Sequence, residues 1–247
     1  MYKDIIEGKK AVVFDLDGTI IDTKEYALEA IRKTLEGYKL TFMNPDPFYK
    51  AGGRSWKNIW KGMLSFNNIK MEKSIKEACA DTHNNYLKII KSASLKEKEG
   101  FWEFIYDLKE EKNIKIALTT NSERDITNLI LDKLDMDEVF DYTICGDEVK
   151  RKKPNPEMYK KIARKLAVKR KEITVFEDSL PGAKAATKAG MDLVIIWDGK
   201  TSRDLYPGNI LYFLTDFKDL GGNLDNTYLD TLFKVSKFYE NIKAARK

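Results

Sequence analysis

The chain has 247 residues, with 44 basic against 39 acidic side chains and a net charge of +5. At 43% hydrophobic and 34% charged it can bury a sizeable core, as one large domain or two unequal ones. No apolar run approaches the roughly 20 residues of a bilayer span, the N-terminus lacks an apolar signal segment, and the charge is spread rather than blocked; membrane insertion and a dedicated nucleic-acid surface are disfavoured and a cytoplasmic location is expected.

Five short β-rich runs stand out, at residues 11–14, 114–119, 142–145, 173–176 and 193–197. Helical patterns follow the second, third and fourth of them, at residues 125–134, 156–166 and 181–189. Apolar strands alternating with helices predict a parallel sheet covered on both faces, an α/β, Rossmann-like doubly wound core. Between the first two runs lie three helical stripes instead: Leu28, Ile31 and Leu35; Ile59, Met63 and Phe66; Ile75, Cys79, Tyr86 and Ile90. They predict a helical insertion over residues 22–94, with the core formed by residues 1–21 and 95–215. A helix is expected at residues 225–242, within a C-terminal extension (216–247) that packs on the core.

Ligands of an open parallel sheet bind outside the carboxyl ends of its strands. Those ends carry Asp15 and Asp17, then Thr120 and Asn121, then Glu177 and Asp178. Two carboxylates 4 Å apart repel by about 4 kcal/mol at an effective dielectric of 20, so such a group needs protons or a cation. Oxygen ligands without histidine or cysteine suit Mg²⁺, which completes its shell with water and phosphate oxygens. Thr120 offers a hydroxyl and Asn121 a backbone N–H before a helix start, where anions are favoured. Lys153, clamped ahead of Pro154, Asn155 and Pro156, offers a positive charge; the alternative is a solvated basic loop with Lys150, Arg151 and Lys152. His83 is the only histidine, and no nucleophile context accompanies it, so acid-base work falls to carboxylates or lysines.

Four ordered motifs, DLDGT (residues 15–19), TN (120–121), KKPNP (152–156) and FEDSLPGAKAATKAGM (176–191), resemble those of the haloacid dehalogenase superfamily of phosphatases and phosphomutases. The insertion resembles the helical cap of the β-phosphoglucomutase and phosphoglycolate phosphatase branch. The resemblance implies that Asp15 is a nucleophile forming an aspartyl-phosphate and that Asp17 protonates the leaving oxygen, then deprotonates water. It implies Mg²⁺ held by Asp15, the Asp17 carbonyl and Asp178, with Glu177 in direct or outer contact. Phosphate would be bound by Thr120, Asn121, Gly18 and Lys153. In the cap, Gly52 to Ser55 resemble a substrate-facing loop in which Arg54 contacts substrate; a surface arginine is the alternative. The implied partner is a small phosphorylated metabolite such as a sugar phosphate, bound by a monomer or weak homodimer.

The motifs depart from a mutase. β-Phosphoglucomutase carries a histidine where this chain has Ala27, and a cap lysine near the position of Thr82. A Mg²⁺-dependent phosphomonoester hydrolase is therefore expected, with a phosphomutase second and a non-catalytic binding protein third. Trp56 and Trp60 are expected in the cap core, and His83 in a structural or exposed position.

Overall fold

The computed structural model describes residues 1–41, 44–46, 48, 55–110, 114–208 and 210–221. Six parallel strands form one sheet: β1 Ala11–Phe14, β2 Lys115–Thr119, β3 Tyr142–Ile144, β4 Ile173–Glu177, β5 Asp192–Ile196 and β6 Ile210–Leu214, in the order β3-β2-β1-β4-β5-β6. The strand order reverses at β1, which lies between β2 and β4 and opens a crevice at its carboxyl end.

β1 reads AVVF because both of its faces are covered. Val12 and Phe14 join one core with Phe101, Phe104, Phe176 and Phe217; Ala11 and Val13 join the other with Tyr159, Ile162 and Ala186. The core helices are α1 Tyr2–Ile6, α5 Phe101–Glu110, α6 Arg124–Lys133, α7 Glu157–Leu166 and α8 Leu180–Ala189, with α2 to α4 in the insertion. Ser179 starts α8 by accepting the Gly182 N–H, and Pro181 occupies the first turn, where a missing N–H does no harm.

The insertion holds α2 Lys24–Gly37, α3 Trp56–Phe66 and α4 Ile75–Ser92. A capping box between Ser74 and Glu77 starts α4, and the three helices close on Leu28, Ile31, Leu35, Ile59, Trp60 and Met63. Trp60 is core, its indole N–H donating to Thr82 at 3.0 Å, whereas Trp56 reaches the cavity below and stacks edge-on with Tyr86. The two linkers run side by side: Ile21 pairs with Asp17 on one side and Glu97 on the other.

Two elements escaped the sequence pattern. The short helix α1 carries a single buried residue, Ile5, too few for a stripe. β6 was hidden because its run is half-buried at a sheet edge, joined to β5 through an irregular register at Leu193 and Val194. Beyond it, Phe217 and Leu220 are buried, and the Phe217 N–H donates to Glu99, so residues 216–221 return to the core. The helix expected at 225–242 and the position of Arg54 lie outside the described residues.

Candidate active site

The carboxyl end of β1 delivers Asp15 to the floor of the crevice, tied by its N–H to the Phe176 carbonyl of β4 at 2.9 Å. Lys153 reaches the same point from the loop before α7. Its ammonium donates to Asp15 Oδ1 at 2.7 Å, Glu177 Oε1 at 2.7 Å and the Thr119 carbonyl at 2.9 Å. All three of its protons are used, and the side chain is 2% exposed. The solvated-loop alternative fits Arg151 instead, which is 74% exposed and turned to Glu157. The loop is clamped from both sides. Asn121 Oδ1 accepts the Lys153 N–H at 3.0 Å, and Asn155 Oδ1 accepts the Glu157 N–H at 3.0 Å to start α7.

Glu177 is wholly buried and its two oxygens are saturated. Oε1 accepts from Lys153 and the Tyr159 hydroxyl; Oε2 accepts from the Asp178 N–H and from the N–H and hydroxyl of Ser179. No side chain fits at Gly182, where a Cβ would overlap this carboxylate. Asp178 differs. Its Oδ2 meets the Lys24 ammonium at 3.0 Å, while its buried Oδ1 has no hydrogen-bond partner. Gly18, at φ +93°, leaves the room for it, since a Cβ there would strike Asp178 Oδ2.

Asp17 points to a different set of partners. Oδ1 accepts the Thr23 hydroxyl at 2.6 Å; Oδ2 accepts the hydroxyls of Ser122 at 2.6 Å and Thr120 at 3.1 Å. Thr120 thus braces Asp17 in this arrangement, and its oxygen also accepts the Ser122 N–H. Ser122, Thr23 and Lys24 carry no pattern of their own in the sequence; only their nearness to TN and to DLDGT marked them.

The electrostatics follow from burial. Asp15 is held well above the usual carboxylate range by burial first, opposed by Lys153 and reinforced by Glu177, Asp178 and Asp17. Burial also pushes Asp178 up to about 6, against the pull of Lys24. Lys153 is held well above its ordinary value by Asp15 and Glu177, which outweigh its burial. The ammonium therefore persists, and the crowded carboxyls of Asp15 and Asp178 resist carrying their negative charge.

Oxygens of Asp15, Glu177 and Asp178 lie within 4.8 Å of one another. An all-oxygen donor set with an orphaned, buried carboxylate oxygen fits a hard divalent cation. The cavity above encloses about 120 Å³ and is lined from below by Asp15, Asp17, Asn121 and Lys153, and from the insertion by Ala27, Trp56, His83 and Tyr86. Of the two expected places for His83, structural or exposed, its contacts fit the structural one. Its Nε2 lies 2.7 Å from Asp125 Oδ2 and its Nδ1 3.5 Å from Glu123 Oε2, bridging insertion and core at the rim.

A family model described as haloacid dehalogenase-like hydrolase matches residues 12–196. A phosphorylated carbohydrates phosphatase of Thermotoga maritima is 31% identical over 186 residues, covering 75% of this chain and 83% of its own. The fructose-1-phosphate phosphatase of Escherichia coli is 27% identical over 190 residues, covering 76% of this chain and 96% of its own. Among solved structures, a putative β-phosphoglucomutase from Thermotoga maritima superposes with a TM-score of 0.67 at 26% identity, covering 85% of this chain and 96% of that one. Motif order, floor geometry and these matches agree: the chain belongs to the haloacid dehalogenase-like hydrolase family.

Proposed function

We propose that the protein is a Mg²⁺-dependent phosphomonoester hydrolase acting on a small organophosphate such as a sugar phosphate. The observation that supports it best is the division of labour between two aspartates one residue apart. Asp15 lies in the carboxylate cluster beside an ammonium, while Asp17 lies outside it among hydroxyls. Asp15 attacks phosphorus and displaces the alcohol, forming an aspartyl-phosphate. Asp17 gives its proton to the leaving oxygen, then takes one from the water that cleaves the acyl phosphate, so free phosphate and both aspartates are regenerated.

Asp15, the Asp17 carbonyl and Asp178 would hold Mg²⁺, which supplies charge for the phosphoryl oxygens. Glu177, its lone pairs already engaged, fits the outer of the two places left to it and braces Lys153. Lys153 offsets charge on the nucleophile and on the transferred group, and Thr120, the Asn121 N–H and Gly18 border the phosphate. We assign the domains as 1–21 with 95–215 for the core and 22–94 for the cap. Among the described residues, the basic side chains that the cap places on the cavity wall are Lys24 and His83.

Asp15→Asn tests the reading. Mg²⁺-dependent turnover of an aryl phosphate should vanish while the circular dichroism spectrum and melting curve stay intact; residual turnover would overturn the nucleophile assignment. A phosphomutase is the second reading, because a structural relative bears that name. Ala27 on the cavity wall, in place of a histidine, disfavours it. With β-glucose 1-phosphate, free phosphate supports the hydrolase and glucose 6-phosphate the mutase.

A further inference from the structure

The second lysine on the floor is not required by the hydrolytic reading. Lys24 is the first residue of α2 and so belongs to the cap, yet its ammonium sits 3.0 Å from Asp178 Oδ2 and 4.0 Å from Asp198 Oδ2. The oxygen it holds is the one for which Gly18 leaves room, and it belongs to the same carboxylate whose other oxygen has no partner. Lys24 therefore stands where a cation bound to Asp178 would place positive charge.

The formal charges agree with rivalry. Asp15, Asp17, Glu177 and Asp178 bring four negative charges, and Lys24 and Lys153 bring two positive ones. Lys153 is enclosed and fully hydrogen-bonded, so it has nowhere to go. Lys24 is 34% exposed and has a second berth. Asp198 is ordered for the role, its Oδ1 accepting the N–H groups of Lys200 and Thr201 and its Oδ2 the Thr201 hydroxyl. A divalent cation and an ammonium on one carboxylate repel strongly at such separations, whereas Asp198 lies within a side-chain swing.

Resting on the reading of the floor as a Mg²⁺ site, we propose that Lys24 is an internal competitor of the metal. It neutralises Asp178 while the site is empty of cation and moves to Asp198 when Mg²⁺ binds. The chain thereby keeps its floor folded without metal and binds Mg²⁺ more weakly than its carboxylates alone would. The exchange also couples the metal to the cap, because the displaced group belongs to the first cap helix.

Isothermal titration of the full-length chain with MgCl₂ is the test, with the melting temperature of each variant recorded with and without Mg²⁺. Lys24→Met should tighten Mg²⁺ binding about tenfold and lower the metal-free melting temperature. Asp198→Asn, a change at a half-exposed residue that removes the second berth, should weaken Mg²⁺ binding several-fold. Lys98→Met, which loses an ion pair with Asp22 nearby on the surface, should leave the affinity unchanged. Unchanged or weaker binding in Lys24→Met overturns the competition, as does an Asp198→Asn variant that binds like the wild type. If the wild type binds no Mg²⁺ that Asp178→Asn abolishes, the metal reading itself fails and this inference with it.

Discussion

Two clusters of charge lie within one crevice and obey different physics. On the floor, Asp15, Lys153, Glu177 and Asp178 are each at most 7% exposed and are held by fixed donors. At the rim, His83, Glu123 and Asp125 have side chains 15%, 42% and 52% exposed. Burial is what separates them. Floor charges have lost water and must be matched atom by atom, so each one dictates its neighbours, down to the glycines at 18 and 182. Rim charges keep water, and their pairing is worth little on its own. Both clusters have acids facing a base, but only the floor cluster is buried.

The contrast can be broken experimentally. Asp17→Asn keeps the shape and loses the proton: we expect kcat to fall by about 10²- to 10⁴-fold with Mg²⁺ binding retained, measured by steady-state kinetics and titration calorimetry. Lys153→Met leaves two buried carboxylates without their ammonium. Stability should fall by about 3–5 kcal/mol in urea unfolding, and turnover by about 10²- to 10³-fold; a loss below 1 kcal/mol would place the floor in the same class as the rim.

A third test uses pH. The Asp178 carboxyl, raised from 3.8 to about 6, holds its proton longer in the folded chain than in the unfolded one. In the window between those values the folded state binds more protons, so metal-free stability from this group falls as pH rises through it. Mg²⁺ competes with that proton, and its apparent affinity should drop by up to about tenfold per unit as pH falls below about 6. Calorimetric titrations at pH 5, 6 and 7 would reveal a flat profile if Asp178 does not take part. The smallest effect is expected at the rim, where His83→Gln should change stability by less than about 1 kcal/mol in the same urea assay. A larger loss would show that the rim bridge is structural after all.

The sequence announced the floor far better than the rim. Asp15, Asp17, Thr120, Lys153, Glu177 and Asp178 stand at strand ends or beside prolines, and short-range backbone geometry is enough to aim them at one point. His83 could not be read in this way, because its partners lie 40 and 42 residues downstream and meet it only once the cap folds over. Lys24 and Ser122 belong to the same class: their roles depend on where a flexible or short side chain turns, which no periodicity records. Glu177 was legible as an acid at a strand end, but its five hydrogen bonds, which decide what it can do, depend on Tyr159 and on the turn into α8.

The Thr23 hydroxyl, at 2.6 Å from Asp17, has a mechanical consequence. Thr23 precedes the first helix of the insertion, whereas Thr120 and Ser122, which hold the other Asp17 oxygen, belong to the core. Asp17, proposed above as the proton carrier, is thus strung between the insertion and the core. Any movement of the insertion away from the core would unhook one side of the acid. Thr23→Val would cut that wire, leaving the acid held from the core side alone.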